Sequence, residues 1–145
     1  VSGDKVMLDS GTDTVLAWTV DGVGVIRFNR PERRNALHPD MYWAVPDLVE
    51  QLDKDDSVGC ILVTAEGSAF CAGGDVVGGV ERNRAEGGGE EAVAPPRGFD
   101  HPLGIGRMVV LLHESPKVSI AALPGAAVGA GVGIALCTDL RIAAE

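Results

Sequence analysis

The chain has 145 residues, enough for one domain with an ordinary core, and its 46% hydrophobic content points to a folded globule rather than a disordered segment. A formal net charge of −9 argues against nucleic acid as a partner, because phosphate binding needs a basic surface. Arg27, Arg30, Arg33 and Arg34 are the one local basic cluster, read either as a solvated surface or as a patch for an anionic ligand.

Residues 1–16 carry charges and no apolar core of the kind a secretion signal needs, so a cytoplasmic protein is expected. Val15 to Val20 and Val23 to Phe28 read as two strands joined in a hairpin around Asp21-Gly22. Arg30 to Pro39 is rich in turn formers. Asp40 is placed to cap a helix whose apolar positions Met41, Ala44, Val45, Leu48, Val49 and Leu52 recur at helical spacing. Pro46 falls inside that pattern and is expected to kink the helix or move its start.

Cys60 to Thr64 is a short apolar run that predicts a buried strand. From Gly78 to Pro102 periodicity disappears around Gly87-Gly88-Gly89 and Pro95-Pro96, which predicts a mobile loop over 78–102. A helical pattern returns from Leu103 to His113, and Val118 to Leu123 predicts another buried strand. Val118 to Cys137 is free of charge and long enough to span a bilayer, with Gly125 and Gly129 spaced as in packed membrane helices. Pro124-Gly125 interrupts it, and alanine and glycine dominate, so a buried strand, a turn and a buried helix fit better. No membrane partner is expected.

Two stretches of small residues carry the chemical argument. Ser68-Ala69-Phe70-Cys71-Ala72-Gly73-Gly74-Asp75 follows the Cys60–Thr64 run and places Asp75 like a helix N-cap. Pro124 to Gly133 lies between a strand-like run and a helix-like run from Ile134 to Cys137. A strand that ends in small residues before a helix leaves backbone N–H groups without partners, and such donors can hold a negative oxygen that develops in acyl chemistry. The plainer alternative is a tight turn that needs small residues for steric reasons.

Taken with Arg30-Pro31-Glu32-Arg33-Arg34-Asn35-Ala36-Leu37 and the closing Thr138-Asp139-Leu140-Arg141-Ile142-Ala143, the two stretches resemble the crotonase (enoyl-CoA hydratase/isomerase) superfamily from about Val15 to the last residue. The resemblance implies an α/β fold, a crotonase-like spiral of repeated β-β-α units, in a single core domain over 1–145. It also implies that the chain stops before a C-terminal helical region that builds trimers. The substrate it implies is an acyl-CoA thioester, with coenzyme A entering as part of the substrate and no separate cofactor or metal. Gly74 and Ala130 match the two backbone donors that stabilise the thioester enolate. Ala36, Leu37, Ala72, Asp75, Val76 and Val77 match positions along the path of the pantetheine and adenine. Asp75 reads equally as a structural N-cap.

The carboxylates that would handle a proton are not in their usual places. The first falls at Gly133, and the second falls beyond Glu145. Glu81, Glu90 and Glu91 lie in the predicted loop, where solvated charges are the ordinary reading. Asp139 reads as structural. The resemblance thus implies an enoyl-CoA hydratase/isomerase of fatty-acid metabolism, trimeric or hexameric at full length. A 3-hydroxyacyl-CoA hydrolase, an enoyl-CoA isomerase and an inactive acyl-CoA-binding scaffold are the alternatives.

Two other chemistries find little support. Gly129-Ala130-Gly131-Val132-Gly133 has the wrong spacing for a dinucleotide-binding loop, and no second strand with an acidic residue follows it. The cysteines Cys60, Cys71 and Cys137 are odd in number without metal-ligand spacing, so buried reduced thiols are expected. A nucleophilic Cys71 would need a histidine close by, and His38, His101 and His113 are all distant in sequence.

Overall fold

The computed structural model describes residues 3–76, 78 and 105–144. Strands β1 (Val6–Leu8), β2 (Val15–Val20), β3 (Val23–Phe28) and β4 (Cys60–Ala65) come first, with β5 (Ala69–Cys71) following directly. Strands β6 (Val118–Leu123), β7 (Ala126–Ala127) and β8 (Leu140–Ala143) complete the set. Helices α1 (Met41–Asp53), α2 (Ile105–Glu114) and α3 (Ala130–Cys137) connect them, with a short 3-10 turn at Pro31–Arg33.

Six strands form one sheet in the order β1-β2-β3-β4-β6-β8. The β2–β3 hairpin is antiparallel and turns through Asp21-Gly22, both at positive φ as a two-residue hairpin turn requires. From β3 onward the pairs are parallel, because each return passes through a helical segment. Strands β5 and β7 pair in a separate two-stranded parallel sheet. The chain therefore repeats one unit: β4 then β5 then a helical start at Val76, and β6 then β7 then α3. This is the predicted β-β-α spiral.

The core lies on one face of the large sheet. Met41, Ala44, Val45, Leu48, Val49 and Leu52 of α1 are all buried, as their spacing predicts. They pack with Val15, Ala17, Ile26, Phe28, Ile61 and Val63 of the sheet and with Met108 and Leu112 of α2. On the opposite face a smaller cluster gathers Trp18, Val20 and Val25.

Several expectations need correction. Asp40 occupies the N-cap position, yet its side chain makes no capping bond. Its carboxylate instead accepts from the Thr12 hydroxyl at 3.1 Å and pairs with His38 Nδ1 at 3.2 Å. Helix α1 begins at Met41 regardless of Pro46, which is buried in its second turn. Helix α3 begins at Ala130 rather than near Ile134, so the last four residues of the glycine-rich stretch are already helical. Only one face of β6 is buried; Val118 is exposed on the other. The predicted loop over 78–102 lies outside the described residues apart from Gly78. No helix among the described residues is long and apolar enough to cross a membrane.

Candidate active site

The first glycine turn is strapped to the Arg30–Leu37 loop. Leu37 donates its N–H to the Gly73 carbonyl at 2.8 Å and accepts from the Asp75 N–H at 3.3 Å. The Ala72 N–H donates to the Arg34 carbonyl at 3.0 Å. Residues 72, 73 and 75 are thus all tied to the loop, and Gly74 alone is skipped. A trans peptide points its C=O and N–H in opposite directions. With the Gly73 carbonyl held by Leu37, the N–H of Gly74 must face away from the loop. It has no acceptor among the described residues.

The second turn lies against the first. Ala69 pairs with Ala126 and Cys71 with Ala127, and the Val128 N–H donates to the Cys71 carbonyl at 2.9 Å. Two positions allow the contact. Gly73 has φ +89°, and a Cβ there would lie 3.0 Å from the Val128 carbonyl oxygen and 3.7 Å from the Ala130 nitrogen. At Gly131 a Cβ would fall 2.5 Å from the Cys71 carbonyl oxygen. Only hydrogen fits. Ala130 is the first residue of α3, so its N–H is one of the donors a helix leaves unpaired, and no acceptor is found for it among the described residues. Two unpartnered N–H groups therefore sit on contacting turns, one of them at the positive end of a helix.

Behind Gly74 is a nearly closed ion pair. Arg30 Nη2 donates to Asp75 Oδ2 at 3.0 Å, with the two side chains 12% and 3% exposed. The other oxygen, Asp75 Oδ1, accepts the Gly78 N–H at 2.8 Å, which is the predicted N-cap bond. Arg30 Nη1 also donates to the Ala36 carbonyl at 2.6 Å. Fully buried Asn35 completes the corner: it accepts the Arg30 N–H and donates to the Glu66 and Ala69 carbonyls, each at 2.8 Å.

The structure divides the predicted site residues. Gly74, Ala72 and Val76 are exposed around the turn, and Ala130 is partly exposed. Leu37 is a core residue with its N–H and carbonyl committed to the turn, so it positions the site from beneath. Asp75 is likewise committed, through its carboxylate and its N–H. Ala36 is buried with its carbonyl bound to Arg30. Val77 lies outside the described residues. Three residues along α3 from Ala130, a Cβ on Gly133 would meet nothing within 4 Å, so the position at which the resemblance implies a glutamate opens into free space among the described residues.

The basic cluster disperses. Arg27 pairs with Glu66 at 3.0 Å and lies over the Trp18 ring, Arg30 turns inward, and Arg33 and Arg34 are exposed. Sequence reasoning missed Arg30 and Asn35 as supports of the site. Their signal was an asparagine and an arginine in a turn-forming loop, and it does not reveal what they bond to.

Cys71 is buried, and burial pushes its thiol above the ordinary range despite a bond from the Gly73 N–H at 3.4 Å. A high pKa, with no histidine bonded to the thiol among the described residues, suits a packing residue and not a nucleophile. His38 pairs with Asp40, His113 ends α2, and His101 lies outside the described residues. Asp139 accepts from both the N–H and the hydroxyl of Ser119, at 2.8 and 2.9 Å, a structural role that holds its carboxyl below the usual range. No group of three or more metal-ligating side chains is found among the described residues.

Comparison with known proteins gives this geometry a family. Residues 23–145 match the enoyl-CoA hydratase/isomerase family model. The chain is 38% identical over 125 residues to an enoyl-CoA hydratase of Alternaria alternata, covering 86% of this chain and 38% of that protein. It is 35% identical over 131 residues to the 1,2-epoxyphenylacetyl-CoA isomerase of Escherichia coli, covering 90% and 47% respectively. A solved enoyl-CoA hydratase/isomerase family structure from Hyphomonas neptunium superposes with a TM-score of 0.71 at 33% identity, over 93% of this chain and 48% of that one. The chain spans less than half the length of each of these relatives. With its parallel sheet, β-β-α repeats and paired glycine turns, the chain belongs to the enoyl-CoA hydratase/isomerase family and carries the crotonase fold.

Proposed function

We propose that the site binds an acyl-CoA thioester with its carbonyl oxygen between the N–H groups of Gly74 and Ala130. There the two donors stabilise the enolate formed when the acyl group is deprotonated or attacked. The observation that supports this reading is the pair of N–H groups on contacting turns that have no acceptor among the described residues, held by a strap that skips Gly74. Donors fixed in advance need no reorganisation when charge develops on the oxygen. Exposed Ala72 and Val76 border the path proposed for the coenzyme A arm, and exposed Val128 and Val132 offer an apolar wall for the acyl group. Coenzyme A enters with the substrate, and the reading calls for no separate cofactor. A place in fatty-acid metabolism, in a cytoplasmic homo-oligomer, belongs to the same proposal.

The reaction itself is left to residues other than Gly133, which brings no carboxylate to the site. Relatives named as a hydratase and as an isomerase both fit an enolate-stabilising step. A second reading rests on that same glycine: a relative that binds acyl-CoA without turnover.

The test uses Gly74. A Cβ there meets nothing within 4 Å, so Gly74→Ala keeps both the donor and the turn. Gly74→Pro removes the N–H. Loss of one such donor is expected to cost ~3 kcal/mol of transition-state stabilisation, about a hundredfold in kcat, with coenzyme A affinity falling much less. Equal turnover of an acyl-CoA by the two variants would remove Gly74 from the mechanism. Tight acyl-CoA binding with no turnover by the wild type would favour the second reading.

A further inference from the structure

Arg30 touches neither of the two turn donors, yet its guanidinium is joined to one of them through two peptide groups. Nη1 donates to the Ala36 carbonyl at 2.6 Å. The N–H of that same peptide belongs to Leu37, and it donates to the Gly73 carbonyl at 2.8 Å. The N–H of the next peptide belongs to Gly74. The order is guanidinium, peptide 36–37, peptide 73–74, and then the oxygen to be stabilised. We propose that Arg30 is a positioning residue that orients and polarises the Gly74 N–H through this relay, and the proposal rests on the oxyanion reading of Gly74 given above.

Three features support it. Peptides 73–74 and 74–75 lie between or beside glycines, where a peptide flip is sterically easy. A flip of peptide 73–74 would turn the donor inward, and the Leu37 N–H bond to the Gly73 carbonyl opposes it. Hydrogen bonds in series polarise one another, most of all when one end carries a full charge in a poorly hydrated place. The Arg30 side chain is 12% exposed, so its charge is little screened by water. Finally, an arginine is not needed to cap the helix after Asp75, because Asp75 Oδ1 already takes the Gly78 N–H on its own. The second carboxylate oxygen instead fixes the guanidinium with Nη1 aimed at Ala36. Withdrawing an ion pair from water is costly, and a well-packed apolar pair would serve stability as well. A charge kept there fits a task beyond holding the corner together.

The experiment reads the carbonyl stretch of 13C-labelled crotonyl-CoA bound to the full-length protein, together with kcat and KM. In the wild type the band should fall to lower frequency than in water, because two N–H groups withdraw electron density from the oxygen. Arg30→Gln removes the charge and, ending two bonds short of Nη1, releases the Ala36 carbonyl as well; it should move the band part of the way back and lower kcat about tenfold, with KM changed less than about twofold. Arg30→Lys retains the charge and should lie between the two. Asp75→Asn keeps an acceptor for the Gly78 N–H and frees Arg30, so it carries the test if Arg30→Gln does not fold; a partial return of the band is again expected. A band unchanged in Arg30→Gln, or in Asp75→Asn where the first does not fold, overturns the relay. If Gly74→Pro restores the free-solution frequency while the Arg30 and Asp75 variants do not move it, the relay fails and the oxyanion reading stands. A wild-type band at the solution frequency defeats the oxyanion reading, and the relay with it.

Discussion

At the scale of single residues, neighbouring glycines in α3 have opposite duties. Gly131 faces Cys71 so closely that a methyl group would strike the Cys71 backbone, which has no flexible end to yield. Gly131→Ala is expected to destabilise the fold by ~1–3 kcal/mol, as other overpacked contacts do. Gly133 meets open space, so Gly133→Ala should be neutral or stabilising by up to ~1 kcal/mol through helix propensity alone. Thermal unfolding of the two variants side by side checks the contrast. Cys137 offers a pH test. Burial raises its thiol from 9.0 to about 11, while its Sγ donates to the Ile134 carbonyl at 3.0 Å. A folded pKa above the unfolded value favours the neutral thiol, so this contribution is complete below about pH 9. It is lost as the pH rises from about 9 to 11. Melting temperatures at pH 8 and pH 10.5 should differ less in Cys137→Ala than in the wild type.

Among elements, the Arg30–Leu37 loop holds the site more than any helix does. Its periodicity is nil, and the sequence marks it only as a place of turns. Asn35 explains its order. The residue sits at φ 54°, where asparagine is tolerated better than most side chains, and joins the loop to residues 66 and 69. Asn35→Ala should cost ~1–3 kcal/mol for each buried group it leaves unpaired. Because β5 is reached through the same bonds, the variant should also loosen the Gly74 turn. Urea denaturation measures the first effect, and faster amide exchange at residues 72–75 the second. Unchanged exchange there would separate Asn35 from the site.

For the whole molecule the far face of the large sheet matters most. The register aligns Met7, Trp18, Val25, Leu62, Ile120 and Leu140 in one row across all six strands. Trp18 and Val25 of the row are buried, with Lys5 and Arg27 over the Trp18 ring, whereas Met7 and Leu140 at its two ends are exposed. Leu140 and Ile142 on the edge strand β8 are 54% and 63% exposed, and Leu136 of α3 is 65% exposed. Leu140 and Ile142 share one face of a strand whose outer edge has no partner among the described residues, and such an apolar edge favours association. This 145-residue chain is therefore expected to self-associate in sedimentation, and the double change Leu140→Lys and Ile142→Lys should shift it towards a monomer. A monodisperse wild-type monomer with a cooperative melting transition would count against this.

The amino-acid sequence by itself determined the hairpin, helix α1, the strands β4 and β6 and the family, because those features are written in local periodicity and in contiguous motifs. It also placed the two glycine turns. Strands β1, β5 and β7, of three residues or fewer, were beyond its reach, since so short a run has no period to detect. The far N-cap bond of Asp75 was legible three residues away, whereas its ion pair with Arg30 spans 45 positions and was not. Asp40 shows the reverse case: a local cap was expected, and Thr12, brought near by the β2 side of the fold, took the carboxylate instead. What tertiary structure alone decided is which backbone groups remain unpaired. That outcome depends on every other donor and acceptor finding its partner first, and the Gly74 N–H faces outward only because Leu37 has claimed the carbonyl on the other side of its peptide.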